Sequence, residues 1–335
     1  MFRSPRFWDK KQWMSYFLIP LSWLWTRIAK WNEKSMESEE VSVPVICVGN
    51  LVMGGAGKTP TVIALVDILK QMGHTPHILS RGYGAYIRNA IQVNPDKHNY
   101  LQVGDEPLLL ASAATTWAGP NRVQSAKAAI LQGATILLMD DGLQNHSLKK
   151  DLSFIVVDAI QGIGNGLVFP AGPLREPIES GANRAQAMIL IGNDNTSSLD
   201  FKNHQFTAQI TCIKNTFEKN HNKRVVAFAG IGYPEKFRNT LEKNGFIVCE
   251  FIDYADHHPY TIHDMIKLIK AAEDHEAVLI TTSKDWFRIP SHYRNVVETL
   301  PIALKFAHPD QICVFIKEAL EKSKQLNVEK QVPTL

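Results

Sequence analysis

The sequence is poor in cysteine and in net charge. It contains four cysteines in 335 residues, none at a paired spacing, and its formal net charge is +3. Scattered cysteines argue against a disulfide framework or a zinc cluster and fit a reducing compartment. A charge so close to balance gives no reason to expect a nucleic-acid partner.

The N-terminal region lacks a hydrophobic run long enough to cross a bilayer. Its uncharged segment, Gln12 to Thr26, has 15 residues and is interrupted by Pro20, whereas a spanning helix needs roughly 20 residues. No small-residue cleavage site follows, so a removed signal peptide is not expected.

Aromatic residues are concentrated in this same region. Five of the seven tryptophans lie within the first 31 residues, and lysine and arginine flank the uncharged segment. Tryptophan and tyrosine favour a membrane interface, and nearby basic residues can contact anionic headgroups. Residues 1–35 are therefore predicted to form a membrane-interface helix. The alternative is an N-terminal helix whose aromatic side chains belong to the core.

The stretch "VGNLVMGGAGKTPTVIALVDIL" is typical of a phosphate-binding loop but lacks one glycine. In G-x-x-x-x-G-K-[ST] the first glycine would stand where this chain has Val52. A β-branched strand nevertheless precedes the glycines, and a helix follows Lys58 and Thr59. In such a loop the backbone N–H groups hold phosphate, the lysine reaches the β- and γ-phosphates, and the threonine hydroxyl binds Mg²⁺. The alternative is a glycine-rich turn without a ligand. The residues predicted to bind the nucleotide are Met53, Gly54, Gly55, Ala56, Gly57, Lys58, Thr59 and Pro60.

Strands and helices alternate along the rest of the chain, which predicts an α/β fold. The expected architecture is a parallel sheet flanked by helices, like that of P-loop NTPases, followed by a second, smaller α/β domain. We place the P-loop domain at residues 36–205. The smaller C-terminal domain is placed at residues 206–335, including a linking ribbon near residues 205–222.

Acidic residues follow the predicted strands at positions suited to chemistry. Asp140 and Asp141 end a continuous apolar strand, where a Walker B carboxylate holds Mg²⁺ directly or through water. An Asp-Asp-Gly sequence is also ordinary turn chemistry, and the pattern leaves open which aspartate faces the metal. Asp105, in "GDEP", is either a helix cap or a general base that takes a proton from an acceptor hydroxyl.

Two further motifs carry charged groups. His257 and His258, in "DYADHHPYT", lack third and fourth ligands at metal spacing, so a zinc site is rejected. A histidine paired with a carboxylate would instead relay a proton. The loop "VFPAGPLREP" is stiffened by prolines and is suited to positioning the charged pair Arg175 and Glu176.

Six separated stretches together resemble one family, the tetraacyldisaccharide 4'-kinases, which are the lipid A 4'-kinases of Gram-negative envelope synthesis. They are "GNLVMGGAGKTP", "LSRGYG", "VGDEPLLLA", "DDGLQ", "GLVFPAGPLREP" and "FIDYADHHPYT". That family also lacks the first glycine of the phosphate loop. The resemblance implies an enzyme on the cytoplasmic face of the inner membrane. It would transfer the γ-phosphoryl group of ATP to the 4'-hydroxyl of a tetraacylated glucosamine disaccharide 1-phosphate.

The resemblance also implies roles for individual residues. Asp105 would be the base and His257 its partner, while Arg175 and Glu176 would help to arrange phosphate and metal. The implied metal ligands are Thr59, Asp140, Asp141 and Glu176, with ATP and Mg²⁺ as cofactors and no protein partner. Asn145 and Ser283 depart from the pattern, since many relatives carry histidine and glutamate there, and the roles of those two positions stay open.

Two rival functions are compatible with parts of the sequence. One is a membrane-associated P-loop switch ATPase or GTPase that acts on a protein partner, and the other is a binding-only membrane adaptor. The proline-rich Arg-Glu loop and the Asp-His-His cluster have no evident use in a switch. No guanine-specificity motif follows a core strand, since "TTSKD" resembles one only superficially. The motifs therefore favour the kinase.

Overall fold

The computed structural model describes residues 5–192, 201–213 and 222–331. It contains ten α-helices and thirteen β-strands within those ranges, together with two short 3-10 helices. The helices are α1 (Trp13–Ser35), α2 (Lys58–Gln71), α3 (Tyr100–Val103), α4 (Asp105–Leu110), α5 (Arg122–Leu131), α6 (Ile178–Asn183), α7 (Pro234–Lys243), α8 (Ile262–Asp274), α9 (Ser283–Trp286) and α10 (Pro309–Gln331). The strands are β1 (Val45–Gly49), β2 (Pro76–Ser80), β3 (Ile91–Gln92), β4 (Thr116–Ala118), β5 (Ile136–Asp140), β6 (Leu152–Asp158), β7 (Ala187–Ile191), β8 (His204–Cys212), β9 (Arg224–Ala229), β10 (Ile247–Asp253), β11 (Val278–Thr282), β12 (Val297–Leu300) and β13 (Ile302–Phe306).

The larger sheet has nine strands in the order β13-β8-β7-β6-β1-β5-β2-β4-β3. Its seven inner strands pair in parallel, and the two edge strands, β13 and β3, are antiparallel. Helices α2 and α10 cover one face, and α5 packs on the other. Strands β1, β2, β5 and β7 are buried along their whole length because both faces are covered, which explains the largely apolar sequences of β1, β5 and β7.

The smaller sheet has four parallel strands in the order β10-β9-β11-β12. Helix α7 packs on one face through Phe237 and Leu241, and α8 packs on the other through Met265 and Leu268. The predicted α/β fold with a second, smaller α/β unit is confirmed by these two layered sheets.

The division between the sheets differs from the boundary expected at residue 205. Strands β8 and β13 were both placed in the C-terminal unit, but they pair with each other and belong to the larger sheet. Helix α10 also packs on that sheet through Ile312 and Ile316. The smaller sheet is therefore formed by the segment between β8 and β13, after which the chain returns to the larger sheet with β13. The first part of the expected linking ribbon, residues 205–212, belongs to β8, and its residues 214–221 lie outside the described ranges.

Helix α1 turns small polar residues inward and aromatic residues outward. Ser15 and Ser22 are buried, and the Ser22 hydroxyl donates to the carbonyl of Val168 at 2.7 Å and accepts from the N–H of Ala171. The side chains of Trp13, Phe17, Trp23 and Trp31 are 69–76% exposed. This arrangement is the reverse of an amphipathic helix packed on a soluble core. No helix in the described part of the chain is long and apolar enough to span a membrane.

Candidate active site

A cleft of about 1740 Å³ lies between the two sheets. The residues at the carboxyl ends of β5, β6 and β7 line one side, and those after β9 and β11 line the other. Parallel α/β sheets bind ligands at this edge because the loops that leave the strands converge there. The cleft is therefore the candidate active site.

The predicted phosphate loop forms the floor of this cleft. Gly57 has a positive φ of 86° as it enters α2, and a Cβ there would lie 2.5 Å from the side chain of Ile191. A Cβ on Gly55 would meet no atom within 4 Å, so its backbone faces open space. Lys58 begins α2, which directs the positive end of a buried helix toward the cleft. All eight predicted nucleotide-binding residues line it.

Val52, at the position of the missing glycine, has a structural role of its own. It forms an isolated antiparallel bridge with Leu174, and the adjacent N–H of Met53 donates to the carbonyl of Pro173 at 2.8 Å. The loop is thus attached to the proline-rich segment, in extended backbone that needs no glycine.

Asp140 and Asp141 lie side by side but in opposite electrostatic settings. Burial raises the pKa of Asp140, and the charges of Glu106 and Asp141 raise it further. Burial also acts to raise the pKa of Asp141, but Lys58 and Arg175 outweigh it and hold that pKa low. Lys58 lies 3.6 Å from the Asp141 carboxylate, and Arg175 donates to it at 2.7 Å. Asp141 is therefore an ionised partner of two cations.

Asp140 keeps an unused acceptor. Its carboxylate is 2% exposed, and its Oδ1 has no hydrogen-bond partner within the described structure. A buried carboxylate oxygen without a partner is costly, and a cation would remove that cost. The Asp140 side chain therefore fits a divalent ion in the cleft.

Glu176 is engaged elsewhere. Its carboxylate pairs with Arg184 through both oxygens and accepts from the amide of Gln144 at 2.9 Å. In residues 5–192, 201–213 and 222–331, no group of three or more His, Cys, Asp and Glu side chains is arranged to hold a metal ion. The structure therefore does not bring Glu176 together with Asp140 and Asp141 as a ready-made carboxylate cage.

Asp105 and His257 meet across the cleft. Nδ1 of His257 lies 3.0 Å from Oδ2 of Asp105, although 152 residues separate them in the chain. Asp105 is only 3% exposed and is not the helix cap, since Gly104 occupies the cap position of α4. Burial raises the pKa of Asp105, but the hydrogen bond from His257 and the charge of Lys284 outweigh it and lower the pKa to about 2. Asp105 is a carboxylate at neutral pH.

The other histidine of the cluster is engaged apart from this pair. Nε2 of His258 lies 3.1 Å from Asp264, and its ring stacks on Tyr254. His257 itself has a positive φ of 58°, a conformation in which strain is often found at functional sites. The two adjacent histidines therefore face different partners.

Lys284, Glu106 and Arg288 surround Asp105, and the sequence analysis did not single them out. Nζ of Lys284 contacts Glu106 at 2.9 Å, and Nε of Arg288 lies 3.1 Å from the Asp105 carboxylate. Lys284 belongs to "TTSKD", in which the sequence analysis noted only Ser283, as a departure from the family pattern. Ser283 is the first residue of α9. In the sequence, Lys284 stands out only as the charged residue directly after Ser283, the position that departs from the family pattern.

Helix α1 borders the cleft at its open side. Trp25, Lys30 and Glu33 are among the lining residues, and the indole N–H of Trp25 donates to the carbonyl of Arg175 at 3.1 Å. The exposed aromatic surface of α1 is thus fixed next to the loop that carries Arg175. Asn145 accepts from the N–H and hydroxyl of Ser147, which makes it a turn residue.

Comparison with known proteins gives one consistent result. The pattern of the family described as tetraacyldisaccharide-1-P 4'-kinase matches residues 14–321. The tetraacyldisaccharide 4'-kinase of Gluconobacter oxydans is 42% identical over 311 residues, which is 92% of this chain and 95% of that protein. The enzyme of the same name from Paramagnetospirillum magneticum is 43% identical over 310 residues, with 92% and 95% covered.

A solved structure is also similar over nearly the whole chain. It is LpxK from Aquifex aeolicus, crystallised in its "apo" form in complex with ATP. The two structures superpose with a TM-score of 0.74 at 25% identity, over 92% of this chain and 99% of that chain.

Proposed function

The chain belongs to the tetraacyldisaccharide-1-P 4'-kinase family. We propose which residues of its cleft bind phosphate, accept the proton and hold the metal in the reaction of that kinase. The protein is an ATP-dependent lipid A 4'-kinase. It transfers the γ-phosphoryl group of ATP to the 4'-hydroxyl of a tetraacylated glucosamine disaccharide 1-phosphate. The bond between the γ-phosphorus and the bridging oxygen of ATP breaks, a bond to the 4'-oxygen forms, and the hydroxyl proton is taken up by the protein.

One observation carries the assignment of residues. A single cleft holds the phosphate loop on one sheet, His257 on the other, and α1 at its rim. Phosphoryl transfer depends on positioning and on charge stabilisation, and these three parts would supply a phosphate site, the partner of the proton-accepting Asp105 and a surface for acyl chains. A switch ATPase would need only the first of them.

The phosphate side of the cleft is cationic. Lys58 and Arg175 both face Asp141, so both ammonium and guanidinium groups are held in place before the nucleotide arrives. Lys58 would then contact the β- and γ-phosphates, and Arg175 would balance charge on the transferred group. Glu176, paired with Arg184, would position this loop.

Asp105 would accept the proton of the 4'-hydroxyl, with His257 as its partner. The hydroxyl is a poor nucleophile, and a positioned base assists its attack. Closure of the two sheets around the cleft would also exclude water from the γ-phosphate. His257 comes from the smaller sheet's side and Asp105 from the larger, so the pair is complete only when the cleft is closed.

The residues fit a Mg²⁺ ion without a full protein cage. Mg²⁺ is commonly bound by one or two carboxylates together with waters and substrate phosphates. Asp140, whose Oδ1 lacks a partner, and the Thr59 hydroxyl at the start of α2 would hold it, with Asp141 close by. The ion would neutralise charge on the phosphates.

Helix α1 would attach the protein to the cytoplasmic face of the inner membrane. Its exposed tryptophans and the basic residues beside them have the composition of an interfacial anchor. An acylated substrate embedded in the same surface could then present its sugar to the cleft. No protein partner is needed for this arrangement.

The decisive experiment measures where the phosphate goes. The purified protein is given ATP labelled at the γ-phosphate, Mg²⁺ and tetraacyldisaccharide 1-phosphate in mixed micelles. The expected result is label in the lipid product, lost when the 4'-hydroxyl is absent. Label released only as inorganic phosphate would favour the switch ATPase and contradict the proposal.

A further inference from the structure

Lys284 is a partly buried cation that joins the two sides of the cleft. It lies in α9, directly after β11 of the smaller sheet, and its Nζ contacts Oε1 of Glu106 on α4 at 2.9 Å. The Lys284 side chain is 20% exposed and the Glu106 side chain is 29% exposed. Such an ion pair, made across a cleft and largely away from water, restrains both partners. Nothing in the kinase reaction as described so far uses it.

The same ammonium faces the ring of His257. Its Nζ lies 3.4 Å from Nε2 of His257, while Nδ1 of that ring lies 3.0 Å from Asp105. The lysine ammonium has three donors and no acceptor, so the Nε2 that faces it must present a lone pair. The ring proton is then on Nδ1 and is donated to Asp105. The carboxylate of Asp256 lies 3.9 Å from Nε2, too far for a hydrogen bond.

We propose that Lys284 is a positioning residue of the transfer reaction. Held by Glu106, it fixes His257 in the tautomer whose Nδ1–H points at Asp105. The inference rests on the proposed function in that Asp105 and His257 are taken as the proton-accepting pair. Lys284 acts through His257 and has no assigned contact with substrate.

The charge of Lys284 has a second effect, on Asp105 itself. The charged and titratable groups around Asp105 are His257, Lys284, Arg288 and Glu106. Burial raises the pKa of Asp105, but the hydrogen bond from His257 and the charges of Lys284 and Arg288 together lower it to about 2. A base must be unprotonated to act. Removing Lys284 is therefore expected to raise the pKa of Asp105 and move the acidic limb of the rate profile to higher pH.

The test compares Lys284→Met, Lys284→Arg and the surface control Lys223→Met, whose lysine pairs with Glu298 away from the cleft. The first readout is the ring ¹⁵N spectrum of histidine-labelled full-length protein without nucleotide. The His257 signals are assigned by their loss in His257→Gln. We expect an unprotonated Nε2 and a protonated Nδ1 at neutral pH in the unsubstituted protein, in Lys284→Arg and in Lys223→Met. In Lys284→Met, Nε2 should become protonated.

The second readout is kinetic. Lys284→Met should lower kcat by about tenfold to hundredfold and leave KM for ATP within about twofold. It should also move the acidic limb of the pH–rate profile to higher pH. Lys284→Arg should have a rate close to that of the unsubstituted protein. If Lys284→Met does not fold, Glu106→Gln, which releases the anchor of Lys284, should move the same Nε2 signal. An unchanged Nε2 signal and an unshifted limb would overturn the inference. A changed signal in a protein that never phosphorylates the lipid would instead overturn the proposed function alone.

Discussion

The aspartates at the end of β5 show how much a residue's chemistry depends on its neighbours. Asp140 and Asp141 are adjacent in the chain, yet the pKa of the first is raised by burial and nearby carboxylates. The pKa of the second is held low, against burial, by Lys58 and Arg175. The two residues are chemically identical and differ only in what lies within a few ångströms. The roles proposed for them, Asp140 as a ligand of Mg²⁺ and Asp141 as the partner of Lys58 and Arg175, follow from this difference.

Lys58 is expected to bind phosphate and to contribute little to the stability of the fold. Its ammonium is mostly buried and contacts only Asp141 among the described acidic residues. We predict that Lys58→Ala abolishes measurable lipid phosphorylation while the circular dichroism spectrum stays unchanged, because the substitution removes a charge that phosphate requires. Lys127→Ala, at an exposed ion pair with Glu39, is the control. Near-normal turnover in Lys58→Ala would contradict the phosphate-loop assignment.

Asp140 should destabilise the protein when no cation is bound. Since folding raises its pKa, the native state is most stable below the ordinary carboxyl pKa and loses stability as the pH rises through the raised value. Asp140→Asn removes the buried charge. We predict that it raises Tm more at about pH 8 than at about pH 5, measured by thermal unfolding without nucleotide. Glu273→Gln, at an exposed carboxylate of α8, is the control. An equal Tm change for Asp140→Asn at both pH values would count against the prediction.

At the scale of elements, α1 is the helix whose surface does not match a soluble protein. Its inward residues are serines and its outward residues are aromatic. Deleting residues 1–31 should weaken liposome binding, but it would also remove contacts such as the Trp8 indole to the carbonyl of Pro170. A more specific variant would keep those contacts and change only the exposed aromatic side chains of α1.

We therefore predict that the triple substitution of Phe17, Trp23 and Trp31 by serine weakens binding to anionic vesicles. The native fold should be retained, because these side chains are exposed and each contributes chiefly to contact with lipid. Cosedimentation measures the effect. Leu131→Ser, at another exposed apolar side chain, is the matched control. If the triple variant sediments with vesicles as well as the unsubstituted protein, the attachment surface must lie elsewhere.

At the scale of the whole molecule, polar contacts join the two sheets across the cleft. They include the contacts of Asp105 with His257 and with Arg288, the pair of Lys284 and Glu106, and the ion pair between Lys236 on α7 and Asp158 at the end of β6. Each contact needs one residue from either side of the cleft, so the proposed catalytic arrangement depends on how the smaller sheet sits over the larger one.

This dependence gives a prediction about the proton-accepting pair. Asp105→Ala should lower kcat by about 10²–10⁴-fold with ATP binding retained, and His257→Ala should cost less. The double variant should lose less than the product of the two single losses, because residues that act as a unit are not additive. Steady-state kinetics with the lipid substrate measures all three.

His258→Ala is the control for this cycle, because its ring pairs with Asp264 instead. Strictly multiplicative losses would show that Asp105 and His257 act independently. A normal kcat in Asp105→Ala would mean that the carboxylate only stabilises the start of α4.

The sequence by itself determined the features that are local. A β-branched run indicated the buried strand β1, a continuous apolar run indicated β5, and helical spacing after Lys58 indicated α2. Glycines followed by a lysine and a threonine indicated a phosphate loop. Each of these is read from residues a few positions apart, since burial on both faces and helix periodicity leave a regular trace in the chain. The N-terminal segment rich in tryptophan likewise indicated a helix with an exposed aromatic surface.

Only the tertiary structure decided which distant groups meet. The return of β13 to the larger sheet, the bridge between Val52 and Leu174, and the contact of Asp105 with His257 all join residues 90 or more positions apart. No periodicity records such contacts, because they depend on how completed sheets and helices pack. The same holds for Lys284, whose neighbours come from the opposite side of the cleft. Its environment exists only once the chain has folded.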